Sequence, residues 1–137
     1  MLTSTKRQGE YRIKDLEIWK NISGFIDYQV SNFGRIKSYK YKKKLLKGFF
    51  TGKSKKYLQI QLCKYGKTKN YKIHRLVYFA FNPSAKKTFE VHHIDKNTFN
   101  NRLENLIGLS KKEHGMIHTK EKIYINKIKD WDDLFKE

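Results

Sequence analysis

The chain has 137 residues, with 31 Lys or Arg against 13 Asp or Glu, a formal net charge of +18. That length suits one domain with a modest core. No apolar run approaches the roughly 20 residues that span a bilayer, the first twenty residues lack the apolar stretch of a secretory signal, and the lone Cys63 can form no internal disulfide, so an intracellular, non-secreted protein with no membrane partner is expected.

Residues 1–16 are polar and without period, and read as a flexible arm. Tyr28 and Val30 then precede Ser31-Asn32-Phe33-Gly34, a turn signal, and Arg35 to Ser38 resumes extended character, which predicts a hairpin. The run YKKKLLKGFF offers a further short strand. In KYLQIQLCKYGKTKNYKIHRL, Leu58, Ile60 and Leu62 fall on one face of a strand, and Tyr57, Gln59, Gln61 and Cys63 on the other. Tyr65-Gly66-Lys67 turns the chain back. HRLVYFAF reads as a short buried helix from about Ile73 to Phe81, closed by Asn82-Pro83. For His74, at its start, a capping or packing role outweighs metal binding or catalysis.

The charge lies mostly in this region. From Tyr28 to Phe89 there are 17 basic residues and no acidic one, whereas elsewhere 14 basic residues face 13 acidic ones. A biased base composition can inflate 26 Lys over 5 Arg, but it does not strip acids from 62 consecutive residues. A surface for a polyanion is the better reading, and nucleic acid is the obvious one. A sheet that exposes Gln, Tyr, Lys and Arg suits a DNA groove.

The remaining signal is EVHHIDKNTFNNRLENLIGLSKKEHGMIH. It predicts a strand over Phe89 to Ile94, a turn-rich loop over Asp95 to Asn101, and a second strand over Leu106 to Leu109. Ser110-Lys-Lys-Glu113 is a capping box: the serine hydroxyl accepts from the Glu113 amide and Glu113 reaches back to Ser110. A helix beginning there puts His114 and His118 at i and i+4 on one face. Such a pair alone is evenly balanced between ligand and coincidence. Four of the five histidines within 27 residues make coincidence a poor account. A strand histidine and two helix histidines could supply three metal ligands, and a structural zinc finger would need cysteines that are missing here.

Val91-His92-His93-Ile94-Asp95, Asn97, Asn100-Asn101, Leu103-Glu104-Asn105-Leu106 and Ser110 through His114 together resemble the HNH motif of HNH homing endonucleases. Glu17 to Ser38 is similar to the small module that precedes this motif in phage and intron-borne enzymes. The resemblance implies an α+β fold: an antiparallel N-terminal sheet region with a short helix, then a ββα-metal nuclease motif and a short helical tail. The expected divisions are 1–16 for the arm, 17–82 for a DNA-binding β-rich region, 83–120 for the nuclease motif and 121–137 for the tail.

By the resemblance His93 is the general base, Asn105 steadies the loop beside it, and His92 and His114 hold a divalent metal ion. His118 matches a position that colicin-type DNases fill with a third histidine, a ligand or phosphate contact. Magnesium or manganese is the expected ion, and the imidazoles would also accept zinc or nickel. The expected reaction is hydrolysis that nicks one strand of double-stranded DNA, with a 5′-phosphate and a 3′-hydroxyl as products. The other ring nitrogen of His93 would be bound by the Asn105 side chain or a backbone carbonyl, and His93 would face the attacking water. Asp95, Asn97, Asn100 and Asn101 are read as loop builders.

Phosphate contacts are expected from Lys37, Lys53, Lys55, Lys56, Lys72, Arg75 and Arg102, and base readout from Arg35, Gln59 and Gln61. Ile123, Ile128, Trp131, Leu134 and Phe135 could pack as an amphipathic tail on the nuclease core, too short for a helix-turn-helix. One motif cuts one strand, so a monomer acting on double-stranded DNA, with no small-molecule substrate and of phage, viral or mobile-intron origin, is the expectation. A binding-only protein and a defence or RNA-directed nuclease are the competing readings.

Overall fold

The computed structural model describes residues 15–50 and 56–116. Ser31-Asn32-Phe33-Gly34 forms the predicted turn: the Ser31 hydroxyl accepts from the amides of Phe33 and Arg35, each at 3.2 Å. Gly34 takes φ +86°, where a side chain is disfavoured. This turn joins β2 (Phe25–Ser31) to β3 (Ile36–Ser38). With β1 (Trp19–Ile22) and β4 (Lys44–Leu46) they form an antiparallel sheet in chain order, β4 being the short strand expected within YKKKLLKGFF.

A second hairpin pairs β5 (Gln59–Lys64) with β6 (Lys67–Lys72) across the two-residue turn Tyr65-Gly66. The alternation within β5 is as predicted, Ile60 and Leu62 buried and Gln61 exposed. Chain-local patterns did not reveal that the β-rich region splits into two separate sheets, or that Phe49 and Gln59 form an antiparallel bridge across the intervening segment.

Helix α1 (Ile73–Phe81) has the predicted bounds. Ile73, His74, Val77 and Phe81 are its buried residues, a stripe at helical spacing. Asn82 ends it, its main-chain amide and side-chain amide both donating to the Tyr78 carbonyl, at 3.0 and 2.9 Å. The helix packs against β1, β2, β6 and, later in the chain, segments 90–93 and 103–109 alike. One core therefore runs through Val30, Ile36, Leu62, Val77 and Leu103.

After α1, β7 (Glu90–His93) and β8 (Leu106–Leu109) form a third antiparallel sheet. A 3-10 turn over Leu103–Asn105 leads into β8, and α2 (Lys111–Met116) follows. The capping box at the start of α2 is present in both directions: Glu113 N donates to Ser110 Oγ at 3.1 Å, and Ser110 N donates to Glu113 Oε1 at 3.2 Å. Among the described residues no helix is long and apolar enough to cross a membrane. Most of the expected arm, Lys53, Lys55, His118 and the tail lie outside the described residues.

Candidate active site

Strand alternation separates the paired histidines. On β7 the burial pattern alternates, so half-buried His92 and buried His93 lie on opposite faces. Opposite them on β8, His92 pairs with Ile107 and His93 with Leu106.

The loop after β7 is built by its own amides and one carboxylate. Asp95 Oδ1 accepts from Asn97 N and Asn105 Nδ2, both at 2.8 Å, and Oδ2 accepts from Asn100 Nδ2 at 3.0 Å. Burial alone would push the Asp95 carboxyl up, but these hydrogen bonds outweigh it and hold its pKa below the ordinary value. Asn105 also donates to the Asn100 carbonyl at 2.8 Å and accepts from the Asp95 amide at 3.0 Å. Its main-chain carbonyl accepts from Ile94 N at 2.8 Å. Asn105 thus ties the loop shut, from a position 6% exposed.

Asn105 does not touch the His93 ring nitrogen as expected. Asn101 does: its Oδ1 lies 2.8 Å from His93 Nε2. An amide oxygen only accepts, so Nε2 carries the proton, and in the neutral ring the lone pair sits on Nδ1. Nor does His93 face open solvent. It is 4% exposed, because its side of β7 looks toward α1. There it meets His74, with ring centroids 4.9 Å apart, and Tyr57, which stacks on His74 at 4.8 Å. Burial, and then the neighbouring His93, Lys72 and Arg75, push the His74 pKa down to about 3, so His74 is neutral.

The N-terminal sheet supports this loop directly. Asn32 binds the strand entry, Nδ2 to Leu16 O at 2.8 Å and Oδ1 from Ile18 N at 2.7 Å. Its carbonyl accepts from Leu103 N at 2.8 Å. A Cβ on Gly34 would lie 2.9 Å from the Asn101 carbonyl oxygen, so the β2–β3 turn presses on the segment that holds His93. Tyr57, Asn32 and Gly34 were missed as site residues because their contacts join distant parts of the chain, and Asn101 because its residue type does not set it apart from the other loop asparagines.

The expected metal ligands are only partly within view. His92 is described, the backbone of His114 lies on α2, and the His114 side chain and all of His118 lie outside what is described. Among the described residues no three His, Cys, Asp or Glu side chains converge as a metal cage. The order β7, β8, α2 does bring the two strands and the helix together, since β8 pairs with β7 and packs against α2. A donor set of imidazoles fits a divalent transition ion.

Several expected DNA contacts are engaged within the protein. Arg35 grips the Glu17 carboxylate with both Nε, at 2.7 Å, and a terminal nitrogen. That hydrogen bond holds the Glu17 pKa below its ordinary value. Arg75 donates to the Phe89 and Lys87 carbonyls at 3.1 and 3.0 Å, which ties α1 to the entry of β7. Arg102 pairs with Glu104 at 2.9 Å and covers the Phe33 ring. Lys37 lies 3.8 Å above the Trp19 ring, and Lys56 and Lys72 lie over Tyr57. Gln61 is exposed and Gln59 half-buried.

A family model described as HNH endonuclease matches residues 71–116, and one described as the NUMOD4 motif matches residues 17–63. A solved structure, "DNA binding and cleavage by the HNH homing endonuclease I-HmuI", aligns with TM-score 0.62 and 35% identity, over 82% of this chain and 68% of that one. The chain belongs to the HNH endonuclease family. An uncharacterized HNH endonuclease of Acanthamoeba polyphaga mimivirus is 34% identical over 117 residues, 83% of this chain but 34% of the viral protein. The chain thus spans about a third of that relative's length. HNH nucleases generally use a divalent metal ion. The HNH match begins at Tyr71 and so takes in all of α1, the helix that brings His74 against His93.

Proposed function

We propose that this chain is a metal-dependent endonuclease of the homing type that nicks one strand of double-stranded DNA. The observation that carries the reading is the Asn101–His93 hydrogen bond, which defines one tautomer of a histidine on an HNH scaffold. With Nε2–H donated to Asn101, Nδ1 is the ring nitrogen left to take a proton from the attacking water, and since His93 is 4% exposed, that water and the scissile phosphate would have to enter the buried side of β7 to reach it. The water oxygen bonds to phosphorus as the P–O3′ bond breaks in line with it, and the departing 3′ oxygen takes a proton from solvent, so the products are a 5′-phosphate and a 3′-hydroxyl. As His93 becomes charged, the Asn101 oxygen remains its hydrogen-bond acceptor. Asn105 acts one step away, by closing the loop that carries Asn101.

His92 and His114 would hold a divalent ion, with His118 as a further ligand or phosphate contact. Such an ion supplies positive charge for the departing 3′ oxygen. Manganese, nickel or zinc suits the imidazoles better than magnesium does. Lys37, Lys56 and Lys72 on the N-terminal sheets, with Lys53 and Lys55, would contact phosphates, and Gln61 is the best placed of the candidate base readers. Arg35, Arg75 and Arg102, which have partners within the protein, are weaker candidates for DNA contacts. A single active-site motif suits a monomer.

Supercoiled plasmid incubated with the protein should become open circles when manganese, magnesium, nickel or zinc is supplied, and should stay intact in EDTA. His93→Ala should bind DNA and metal as the native chain does but fail to nick. Nicking by His93→Ala at near the native rate would remove His93 as the base. No nicking by the native chain with any of these metals would overturn the endonuclease reading.

A further inference from the structure

One hydrogen bond does not orient an imidazole. The Asn101 contact holds His93 Nε2 at 2.8 Å from its acceptor, but the ring can still rock about its Cβ–Cγ bond by bending that contact, and the rocking moves Nδ1. A second restraint, acting on the face of the ring, would narrow that rocking and hold the direction of Nδ1 more nearly constant.

Such a restraint is present in the aromatic group packed on that face. Tyr57, just ahead of β5, and His74, in the first turn of α1, stack at 4.8 Å with an interplanar angle of 27°. His93 meets His74 at 4.9 Å with the two rings tilted by 46°, and lies 6.0 Å from Tyr57 with an interplanar angle of 19°, so the three rings form a triangle. His74 is 5% exposed and His93 4%, so neither ring has room to reorient without displacing the other. Lys56 and Lys72 place their ammonium groups 5.3 and 4.9 Å from the Tyr57 ring centre. The three rings come from three separate elements, β5's approach, α1 and β7.

We propose that His74 and Tyr57 together are positioning residues that fix the ring plane of His93 by packing against it, His74 at a tilt and Tyr57 nearly parallel. His74 needs to be flat and aromatic, and it takes no part in proton transfer. Its neutrality agrees with this role, because a second imidazolium so close to His93 would repel a proton there. The proposal rests on the reading of His93 as the general base.

The test compares His74→Phe, which stays flat, with His74→Leu, which fills the space without a ring. Single-turnover nicking at saturating plasmid and the Kd for DNA are measured separately. His74→Phe should nick within about threefold of the native rate, and His74→Leu should be slower by roughly 10–100-fold, the loss typical of a misaimed catalytic group, with Kd unchanged in both. If His74→Leu does not fold, Tyr57→Leu, at the half-buried corner of the three-ring cluster, serves in its place and should show a loss in the same direction. Native-rate nicking by the folded Leu variants would overturn the proposal, as would equal loss in His74→Phe and His74→Leu, which would mark a polar role instead. NMR of the His93 ring gives a readout independent of activity: a single ordered ring in the native chain and His74→Phe, and a mobile one in the Leu variant. Failure of the native chain to nick would overturn the endonuclease reading, while the NMR comparison would still decide whether the three-ring cluster orders His93.

Discussion

Asn101 and Asn105 lie four residues apart and are almost equally buried, yet they do different work. Asn101 places its side-chain oxygen on the His93 ring, whereas Asn105 makes three hydrogen bonds within the loop and none to the ring. Asn101→Ala leaves a buried N–H of His93 without its acceptor, which costs roughly 1–3 kcal/mol. The nicking rate should fall by about 100-fold as Nδ1 loses its fixed direction, while DNA affinity stays near native. Asn101→Asp keeps an acceptor at that point and should recover part of the rate. Asn105→Ala should act first on stability, lowering the urea midpoint more than Asn101→Ala does, because it frees both ends of the loop. Equal rate loss in the two variants at equal stability would contradict this division. Nothing in NTFNNRLEN distinguishes the two asparagines, since both are typical loop residues and only the closed loop shows which one turns toward β7.

At the scale of elements, the locally encoded features were legible. The β2–β3 turn, the bounds of α1 and both arms of the Ser110–Glu113 capping box follow from residue types within four or five positions. What the sequence concealed is tertiary: that two sheets make up the N-terminal region, that Tyr57 reaches His74 and His93, and that the β2–β3 turn supports the nuclease loop. Paired histidines could be assigned to opposite faces of a strand, but which face was buried depended on α1, a separate element earlier in the chain. Gly34 shows how the elements are coupled. Its φ of +86° disfavours any side chain, and a Cβ there would lie 2.9 Å from the main-chain oxygen of Asn101, which cannot simply swing aside. Gly34→Ala should therefore cost on the order of 1–3 kcal/mol and slow nicking beyond the effect of stability, because the displaced backbone carries the Asn101 side chain. Thermal melts and single-turnover rates measured below the melting range separate the two effects. A Gly34→Ala protein with native stability and native rate would show that the turn and the loop are not in register.

For the whole molecule, acid and salt act on different groups. The His74 pKa of about 3 lies below the ordinary histidine value, so between about pH 6.5 and 3 the unfolded chain takes up a proton that the native chain refuses. Stability is then fully present above pH 6.5 and declines as the pH falls, by at most about 1.4 kcal/mol per pH unit for this group. Glu17 and Asp95, also lowered, add losses in the same direction but below about pH 4. Urea unfolding between pH 6.5 and 4.5 separates His74 from Glu17 and Asp95, and His74→Phe should reduce the native slope there; an unchanged slope would place the proton elsewhere. Salt should act on DNA binding instead. The stretch without acids carries 17 basic residues, but Arg35 is held by Glu17 and Arg75 by two carbonyls, so the phosphate-binding charge falls mainly to lysines. Of these, Lys67 and Lys69 are exposed on β6, a strand paired on one side with β5. If 6–10 phosphates are neutralised, affinity should drop about 10³–10⁵-fold between 50 and 200 mM salt. Lys67→Ala with Lys69→Ala should then reduce the slope of log K against log salt by about 0.9 for each phosphate no longer neutralised, and weaken all sequences alike, since phosphate contacts carry no base information. The nicking rate of bound DNA should stay near native in the double variant, because the hydrogen bonds and ring contacts around His93 involve neither lysine. An affinity that changes less than tenfold over that salt range would mean that the asymmetric charge is not the DNA-binding surface.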